Sequence, residues 1–212
     1  MKVAIINGSS QYTRLFTQVL GMTEVAFDRD ERYPPDLVVF TGGEDVTPAL
    51  YGDAAHKFTG NSPYRDEQEK AVFNYCVDHD IPMVGICRGA QFLNVMSGGR
   101  MYQHVSGHLG NHEIVDMDSG DTIVVSSTHH QMMMPSGKAI IKAISTLGGT
   151  REWYDGQVFK RDVSNTDYEV VFYPETRCLC FQPHPEFPGE HYAGMRDYFT
   201  HLVNELLVAE TA

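Results

Sequence analysis

The segment Pro82-Met83-Val84-Gly85-Ile86-Cys87-Arg88-Gly89 constrains this chain more than any other stretch. A short apolar run ends on a glycine-flanked cysteine, and a helical pattern over Arg88–Met96 begins at once and stops at Gly98-Gly99. The run reads as a strand buried on both faces, because it lacks the polar alternation of a half-exposed one. Passing from strand to helix without a loop demands a sharp turn. Glycines two residues before and two after Cys87 remove the Cβ atoms that would collide there. The cysteine is then held in a strained conformation above the carboxyl end of the strand. The helix behind it aims free N–H groups and the positive end of its dipole at the sulfur, which favours the thiolate. The N–H of Arg88 is placed to donate to an oxyanion. Taken alone, the same residues also describe a small buried cysteine in an ordinary strand-to-helix turn.

The neighbouring segments extend the pattern. Val3-Ala4-Ile5-Ile6, ended by Asn7-Gly8-Ser9-Ser10, reads as a buried strand and a turn. Residues 13–20 read as a helix stopped by Gly21, with Leu15, Phe16, Val19 and Leu20 at helical spacing. Leu37–Phe40 is a second strand, closed by Gly42-Gly43. Residues 66–79 read as a helix with Val72, Phe73, Cys76 and Val77 in one apolar stripe. Strands alternating with helices through short glycine turns imply an α/β fold, a three-layer sandwich with a mostly parallel sheet and helices on both faces. In the second half, residues 122–125, 138–144, 170–172 and 178–181 are strand-like with hairpin-type breaks, so an antiparallel extension of the sheet is expected there. Residues 190–209 read as a closing amphipathic helix, with Met195, Phe199, Leu202, Val203 and Leu206 on one face. No repeat or linker interrupts the chain, so residues 1–212 are taken as a single domain.

Composition narrows the class. A length of 212 residues is enough for one full hydrophobic core. Against 28 Asp+Glu stand only 16 Lys+Arg, a formal net charge of −12. Nucleic-acid binders usually carry a basic face, and none is present here. The absence of an apolar run near ~18 residues argues against a membrane span. The four apolar residues Val3 to Ile6 fall short of a signal peptide's apolar stretch of about 7–15. Cys76, Cys87, Cys178 and Cys180 show no scaffold spacing and are read as reduced, which points to a cytoplasmic protein. Cys178-x-Cys180 is too close for the usual zinc pair, and period-2 alternation puts both thiols on one face of a strand, toward the core.

Two further segments bear on Cys87. Gln182-Pro183-His184-Pro185-Glu186 offers a histidine as base and a carboxylate two residues on to orient it, with prolines stiffening the segment. Thr41-Gly42-Gly43-Glu44-Asp45 ends a strand with two glycines, which permit close approach to a ligand, and the Gly43 N–H suits the second half of an oxyanion hole. Each alone is also an ordinary surface turn.

Together these stretches resemble class I glutamine amidotransferases. Gly85-Ile86-Cys87-Arg88-Gly89-Ala90-Gln91 is similar to their nucleophile elbow, and Gln182-Pro183-His184-Pro185-Glu186 to their His-Pro-Glu motif. The similarity is strongest to the gamma-glutamyl-GABA hydrolase and peptidase C26 branch. Thr41-Gly42-Gly43-Glu44-Asp45-Val46-Thr47-Pro48, Tyr51-Gly52, Arg65-Asp66-x-x-Glu69, Asn94-Val95-x-x-Gly98-Gly99 and Ser126-Ser127-Thr128-His129-His130-Gln131 follow that branch. Gly8-Ser9-Ser10-Gln11-Tyr12-Thr13 instead resembles the opening of the amidotransferase domains of GMP synthetases, and residues 149–156 depart from the hydrolase pattern.

The resemblance implies a flavodoxin-like sheet and a catalytic triad of Cys87, His184 and Glu186. It implies an oxyanion hole of the Gly43 and Arg88 N–H groups, and Gln91, Gly42 and His130 at the substrate. The implied reaction is cleavage of glutamine or another gamma-glutamyl small molecule through a gamma-glutamyl thioester, with no metal or organic cofactor. Three functions follow: a glutaminase that hands ammonia to a separate synthetase or ligase, a freestanding hydrolase of gamma-glutamyl amines or peptides, and a non-catalytic binding or regulatory domain. The oligomeric state is left open, a homodimer included. His104, His108 and His112 are spaced by four, as metal ligands on one helix face would be, but Gly107 and Gly110 argue against a helix. They are read as a solvated loop bordering the active site. His129-His130 is read as structural or pocket-lining. Met117, Met132, Met133 and Met134 are read as loop and core filling.

Overall fold

Side chains of successive strand residues point to opposite faces, so a strand that is apolar throughout needs a core on each side. A computed structural model, which describes residues 1–30, 32–164 and 166–208, shows both cores. Its strands are β1 (Lys2–Ile6), β2 (Thr23–Val25), β3 (Leu37–Phe40), β4 (Met83–Ile86), β5 (Arg100–Tyr102), β6 (His104–Val105) and β7 (His112–Asp116). They continue with β8 (Thr122–Val125), β9 (Met132–Met134), β10 (Ile140–Ser145), β11 (Gly149–Tyr154), β12 (Phe159–Ser164), β13 (Asp167–Tyr173) and β14 (Cys178–Phe181). The α-helices are α1 (Ser10–Arg14), α2 (Pro63–Asp78), α3 (Arg88–Met96) and α4 (Ala193–Val203). A π-helical turn, Leu15–Val19, extends α1, and another, Asn204–Val208, extends α4.

Val3, Leu37, Val39, Val84, Ile86, Leu179 and Phe181 face one core, closed by Leu15 and Phe16 and by Met195, Phe199 and Leu202 of α4. Ala4, Val38, Phe40, Met83, Cys178 and Cys180 face the other, closed by Val72, Phe73 and Cys76 of α2 and by Phe92 and Leu93 of α3. Cys178 and Cys180 thus share a buried face, as their spacing requires, and all four cysteines are free thiols. Helices lie on both faces of the central sheet, so the α/β sandwich stands.

The sheet is not mostly parallel. Its order is β2-β1-β3-β4-β14-β13-β10-β7-β8. Neighbours from β2 to β14 pair in parallel, and neighbours from β14 to β8 pair antiparallel, so the sheet is evenly mixed. Connection type explains the split. Parallel neighbours need crossovers, which α1, α2 and α3 supply, whereas short turns join only antiparallel strands. Between α3 and α4 the described residues hold no α-helix. Two small sheets, β12-β11-β6 and β5-β9, sit beside the main one.

Several boundaries move. The first helix starts at Ser10 rather than residue 13, and α2 starts at Pro63, with the Ser62 hydroxyl accepting from Arg65 N–H at 3.4 Å. Val77, expected on the apolar stripe of α2, is exposed, whereas Val72, Phe73 and Cys76 are buried. The closing helix starts at Ala193, and Ala209 lies outside the described residues. Met132 and Met133 fill the core, while Met117 is half-exposed. Among the described residues no helix is long and apolar enough to cross a membrane.

Glycine packs directly on backbone where α3 meets β3. A Cβ added to Gly89 would sit 2.1 Å from the Phe40 carbonyl oxygen, whereas one on Gly137 would meet nothing within 4 Å. Gly89→Ala is therefore expected to lower stability by about 3 kcal/mol, the upper end of overpacking, and Gly137→Ala to stay within about 0.5 kcal/mol. Urea unfolding of the two variants checks the contrast.

Candidate active site

β4 ends at Ile86 and α3 begins at Arg88, so Cys87 alone makes the turn, as the N-cap of α3 at φ +53° and ψ −112°. Such a conformation costs a β-carbon-bearing residue about 1–3 kcal/mol and persists only where packing enforces it. Here a Cβ on Gly85 would lie 2.4 Å from the Gly89 carbonyl oxygen. The two glycines let α3 rest directly on β3 and β4, and that contact leaves Cys87 no relaxed alternative.

His184 and Glu186 follow β14, the strand beside β4. His184 Nδ1 lies 2.6 Å from Glu186 Oε1, and Nε2 lies 3.0 Å from Thr128 Oγ1. The His184 backbone N–H donates to Ser126 Oγ at 2.9 Å, and the ring stacks on Phe187 with centroids 4.5 Å apart. Burial by itself lowers the His184 pKa, but the facing Cys87 and Glu186 overcome it and push it up to about 10. Cys87, His184 and Glu186 are therefore together, all three buried.

Gly42 fits between the cysteine and the histidine. A Cβ there would stand 3.3 Å from His184 Cε1 and 3.7 Å from the Cys87 Cβ. The Gly42 N–H donates to the Tyr12 hydroxyl at 3.0 Å. Burial and the facing charge of Glu186 both raise the Tyr12 pKa, so the phenol keeps its proton beside that carboxylate. Arg65 Nη2 donates to the carbonyls of Thr41 at 3.0 Å and Gly42 at 3.1 Å. Arg65 Nε donates to Glu69 at 2.8 Å, and Glu69 and Asp66 both pair with the buried Arg88 guanidinium.

One pocket is lined by Gly43, Cys87, Arg88, Gln91, Thr128 and His130, together with Glu44, Asp45, Phe58, Gly60, His129 and Gln131. Gly42, His184 and Glu186 are not part of that lining, although Gly42 adjoins Cys87 and His184. Gln91 is buried, its amide nitrogen donating to Gln131 O at 3.3 Å and Gln182 Oε1 at 3.1 Å. His130 Nε2 lies 3.1 Å from Asp45 Oδ1, and that hydrogen bond raises its pKa. Sequence reasoning does not single out Tyr12, Arg65, Ser126 or Thr128 as site residues. All four lie in stretches that carry the family resemblance, which is the available signal.

The histidine-rich segment is not a solvated loop. His108 and His112 are buried against carboxylates of β13: His108 Nε2 lies 2.9 Å from Asp167 Oδ2, and His112 Nε2 lies 2.9 Å from Glu169 Oε1. The two glycines do break any helix there, but the polar rings turn inward because buried partners await them. His104 is apart from them, stacked on His56 at 5.7 Å.

Comparison with known proteins gives the family and the fold. The chain is 34% identical over 180 residues to YvdE of Lactococcus lactis, a protein named for its likeness to glutamine amidotransferases, covering 74% of this chain and 69% of that one. A GMP synthase component from Thermoplasma acidophilum, so described in its crystal structure, superposes at TM-score 0.66 and 18% identity, over 99% of this chain and 95% of that one. A Thermotoga maritima glutamine amidotransferase superposes at TM-score 0.60 and 14% identity, over 99% and 88% of the two chains. The peptidase C26 family model matches residues 35–151. This span holds the Gly42-Gly43 turn, the elbow at Cys87 and the segment 126–131, and with it the chain belongs to the peptidase C26 family, within the class I glutamine amidotransferase-like fold.

Proposed function

We propose that the chain hydrolyses a gamma-glutamyl amide with Cys87 as nucleophile. One observation carries this reading: a cysteine on a strained strand-to-helix turn faces a buried histidine whose Nδ1 lies 2.6 Å from a carboxylate. Membership of a glutamine amidotransferase-like family supports hydrolytic activity of this general kind. Cys87 gives its proton to His184 Nε2, and the thiolate attacks the gamma-carbonyl carbon. The Gly43 and Arg88 N–H groups receive the oxyanion. The Gly42 N–H is occupied by Tyr12, which leaves Gly43 as the donor of that turn. Glu186 accepts the Nδ1 hydrogen bond and stabilises the imidazolium. His184 then protonates the departing ammonia or amine, the C–N bond breaks and the gamma-glutamyl thioester remains. Water, deprotonated by His184, attacks the thioester and releases the gamma-glutamyl acid and the thiol. Gln91 and His130 border the space for the glutamyl group, and Gly42 adjoins it beside Cys87.

Two routes share these steps: donation of ammonia to a separate synthetase, and free hydrolysis of gamma-glutamyl amines or peptides. The match to a peptidase family favours the second as an alternative worth separating. Ammonia or amine release from glutamine, gamma-glutamyl amines and gamma-glutamyl dipeptides separates them. Turnover by the chain alone marks a self-sufficient hydrolase, and glutamine turnover that appears only with a synthetase marks an ammonia donor. If no such substrate is cleaved and a glutamine-like electrophile leaves Cys87 unlabelled, the chain is a non-catalytic domain.

Cys87→Ala and His184→Asn are each expected to lower kcat by about four orders of magnitude or more while circular dichroism stays unchanged. The pH profile carries a second prediction. His184 is pushed up to about 10, so the proton it gives the leaving group is present throughout the neutral range and lost as pH rises through that value. kcat/KM should therefore hold through mildly alkaline pH and fall only near pH 10. An alkaline limb near the ordinary histidine value of about 6.5 would contradict the assigned pairing.

A further inference from the structure

Beneath the pocket, three imidazoles surround one buried carboxylate. Glu169 of β13 is fully buried. His112 Nε2 stands 2.9 Å from its Oε1, His108 Nδ1 3.4 Å from its Oε1, and His129 Nε2 4.0 Å from its Oε2. All three histidines are buried as well. Of these facing atoms, His108 Nδ1, His129 Nε2 and Glu169 Oε2 have no hydrogen-bond partner among the described residues.

The far side of two rings decides what the near side is. His129 Nδ1 lies 2.9 Å from the carbonyl oxygen of Gln131, which only accepts, so Nδ1 bears the hydrogen. In the neutral ring Nε2 is then a bare lone pair, and it faces a carboxylate oxygen. His108 Nε2 lies 2.9 Å from Asp167 Oδ2, which likewise places that ring's hydrogen away from Glu169 and leaves Nδ1 as a lone pair toward it. Lone pairs aimed at a carboxylate repel unless a cation lies between them. The charge count agrees. Arg151 Nη2 stands 2.6 Å from Asp167 Oδ1 and offsets that carboxylate, so the Glu169 charge calls for one further cation among the imidazoles, a metal ion or a proton. Buried charges of this kind are paired or coordinate a metal.

We propose that His108, His112 and Glu169 form a binding site for one divalent transition metal, of which zinc fits the donor set best. Two imidazole nitrogens and one carboxylate oxygen are a zinc set, and tetrahedral bonds of about 2.0–2.1 Å imply ligand atoms roughly 3.3 Å apart. The 2.9 and 3.4 Å from His112 Nε2 and His108 Nδ1 to the shared Glu169 Oε1 bracket that spacing. The His108, His112 and Glu169 donor atoms all lie within 4.8 Å of one another, with the unpartnered His129 Nε2 beside them. Asp167 is the outer partner that holds His108 in the required tautomer. No step of the proposed hydrolysis is routed through this set, so the metal is structural. It fastens the 108–112 stretch to β13, and the Ser127 hydroxyl, donating to the His108 carbonyl at 2.6 Å, ties that stretch to the 126–131 segment, which carries Ser126 and Thr128 against His184.

The competing occupant is a proton on His108, shared between Asp167 and Glu169. Metal analysis of the purified chain, followed by titration of the chelator-stripped chain with zinc chloride, separates the two. The titration is run also on Cys87→Ser, so that the pocket thiol adds no site. The expected result is one zinc per chain in both, a rise of Tm on zinc addition, and a tetrahedral visible spectrum with cobalt. Asp167→Asn should weaken binding about 10–100-fold, and Glu169→Gln should abolish the cobalt spectrum. Should Glu169→Gln fail to fold, the parent titration decides alone. A stripped parent chain that takes up no stoichiometric zinc and shows no change in Tm overturns the proposal and leaves the proton. Uptake that persists in folded Glu169→Gln, or vanishes in Cys87→Ser, overturns it equally.

Discussion

The close approach of Gly89 to the Phe40 carbonyl is the contact on which the site depends. Phe40 ends β3 and Gly89 lies in the first turn of α3, so their meeting fixes the helix against the carboxyl ends of two adjacent parallel strands. Cys87 extends from β4 and the Gly42-Gly43 turn from β3. The proposed nucleophile and the proposed oxyanion donor are thus set by backbone packing before any side chain is considered. Open α/β sheets place ligands at this end of their strands because helix N-termini and loop amides gather there.

A buried ion network then orients that turn. Arg65 and Arg88 face Asp66 and Glu69, so two positive charges balance two negative ones away from water. Breaking such a pair strands a buried charge, at a cost of about 3–5 kcal/mol. Its consequence for the site is directional. Arg65 Nη2 holds the Gly42 carbonyl, and in a trans peptide the N–H of the next residue points the opposite way. The Gly43 N–H is thereby turned away from Arg65, as the proposed oxyanion hole requires. The φ of +149° at Gly43 and the 2.1 Å that would separate a Cβ there from Arg65 Nη1 leave no room for another residue type.

What can be read from the sequence is local. Short apolar runs mark β1, β3, β4 and β14, and glycine spacing marks the elbow, because both depend on residues within a few positions of one another. The antiparallel extension is readable from the strand-like runs with hairpin-type breaks after residue 122, but its equal share of the sheet is not, since that turns on how the short strands after α3 pair. Tyr12 meets Gly42 across 30 positions, Thr128 meets His184 across 56, and Arg88 meets Asp66 across 22. No local spacing encodes such pairs. His108 and His112 mislead for the same reason. Polar residues around glycines suggest solvent, and only the carboxylates of β13, 59 and 57 positions away, make burial of these rings favourable.

The proposed site is shared between the two halves of the sheet, and the antiparallel half positions the proposed base. Cys87, the proposed nucleophile, sits on rigid parallel elements, but His184 lies on an irregular segment. Its position rests on the Ser126 hydroxyl at its N–H, Thr128 at Nε2, Glu186 at Nδ1 and Phe187 against its ring face. Ser126 and Thr128 follow β8, the last strand of the antiparallel run. A misplacement of about 1 Å in such a group is worth about a hundredfold in rate. The distance between sulfur and imidazole is therefore fixed by the docking of the 126–131 segment as much as by the elbow itself. Anything that stiffens this segment against β7 and β13 acts on the base without touching substrate.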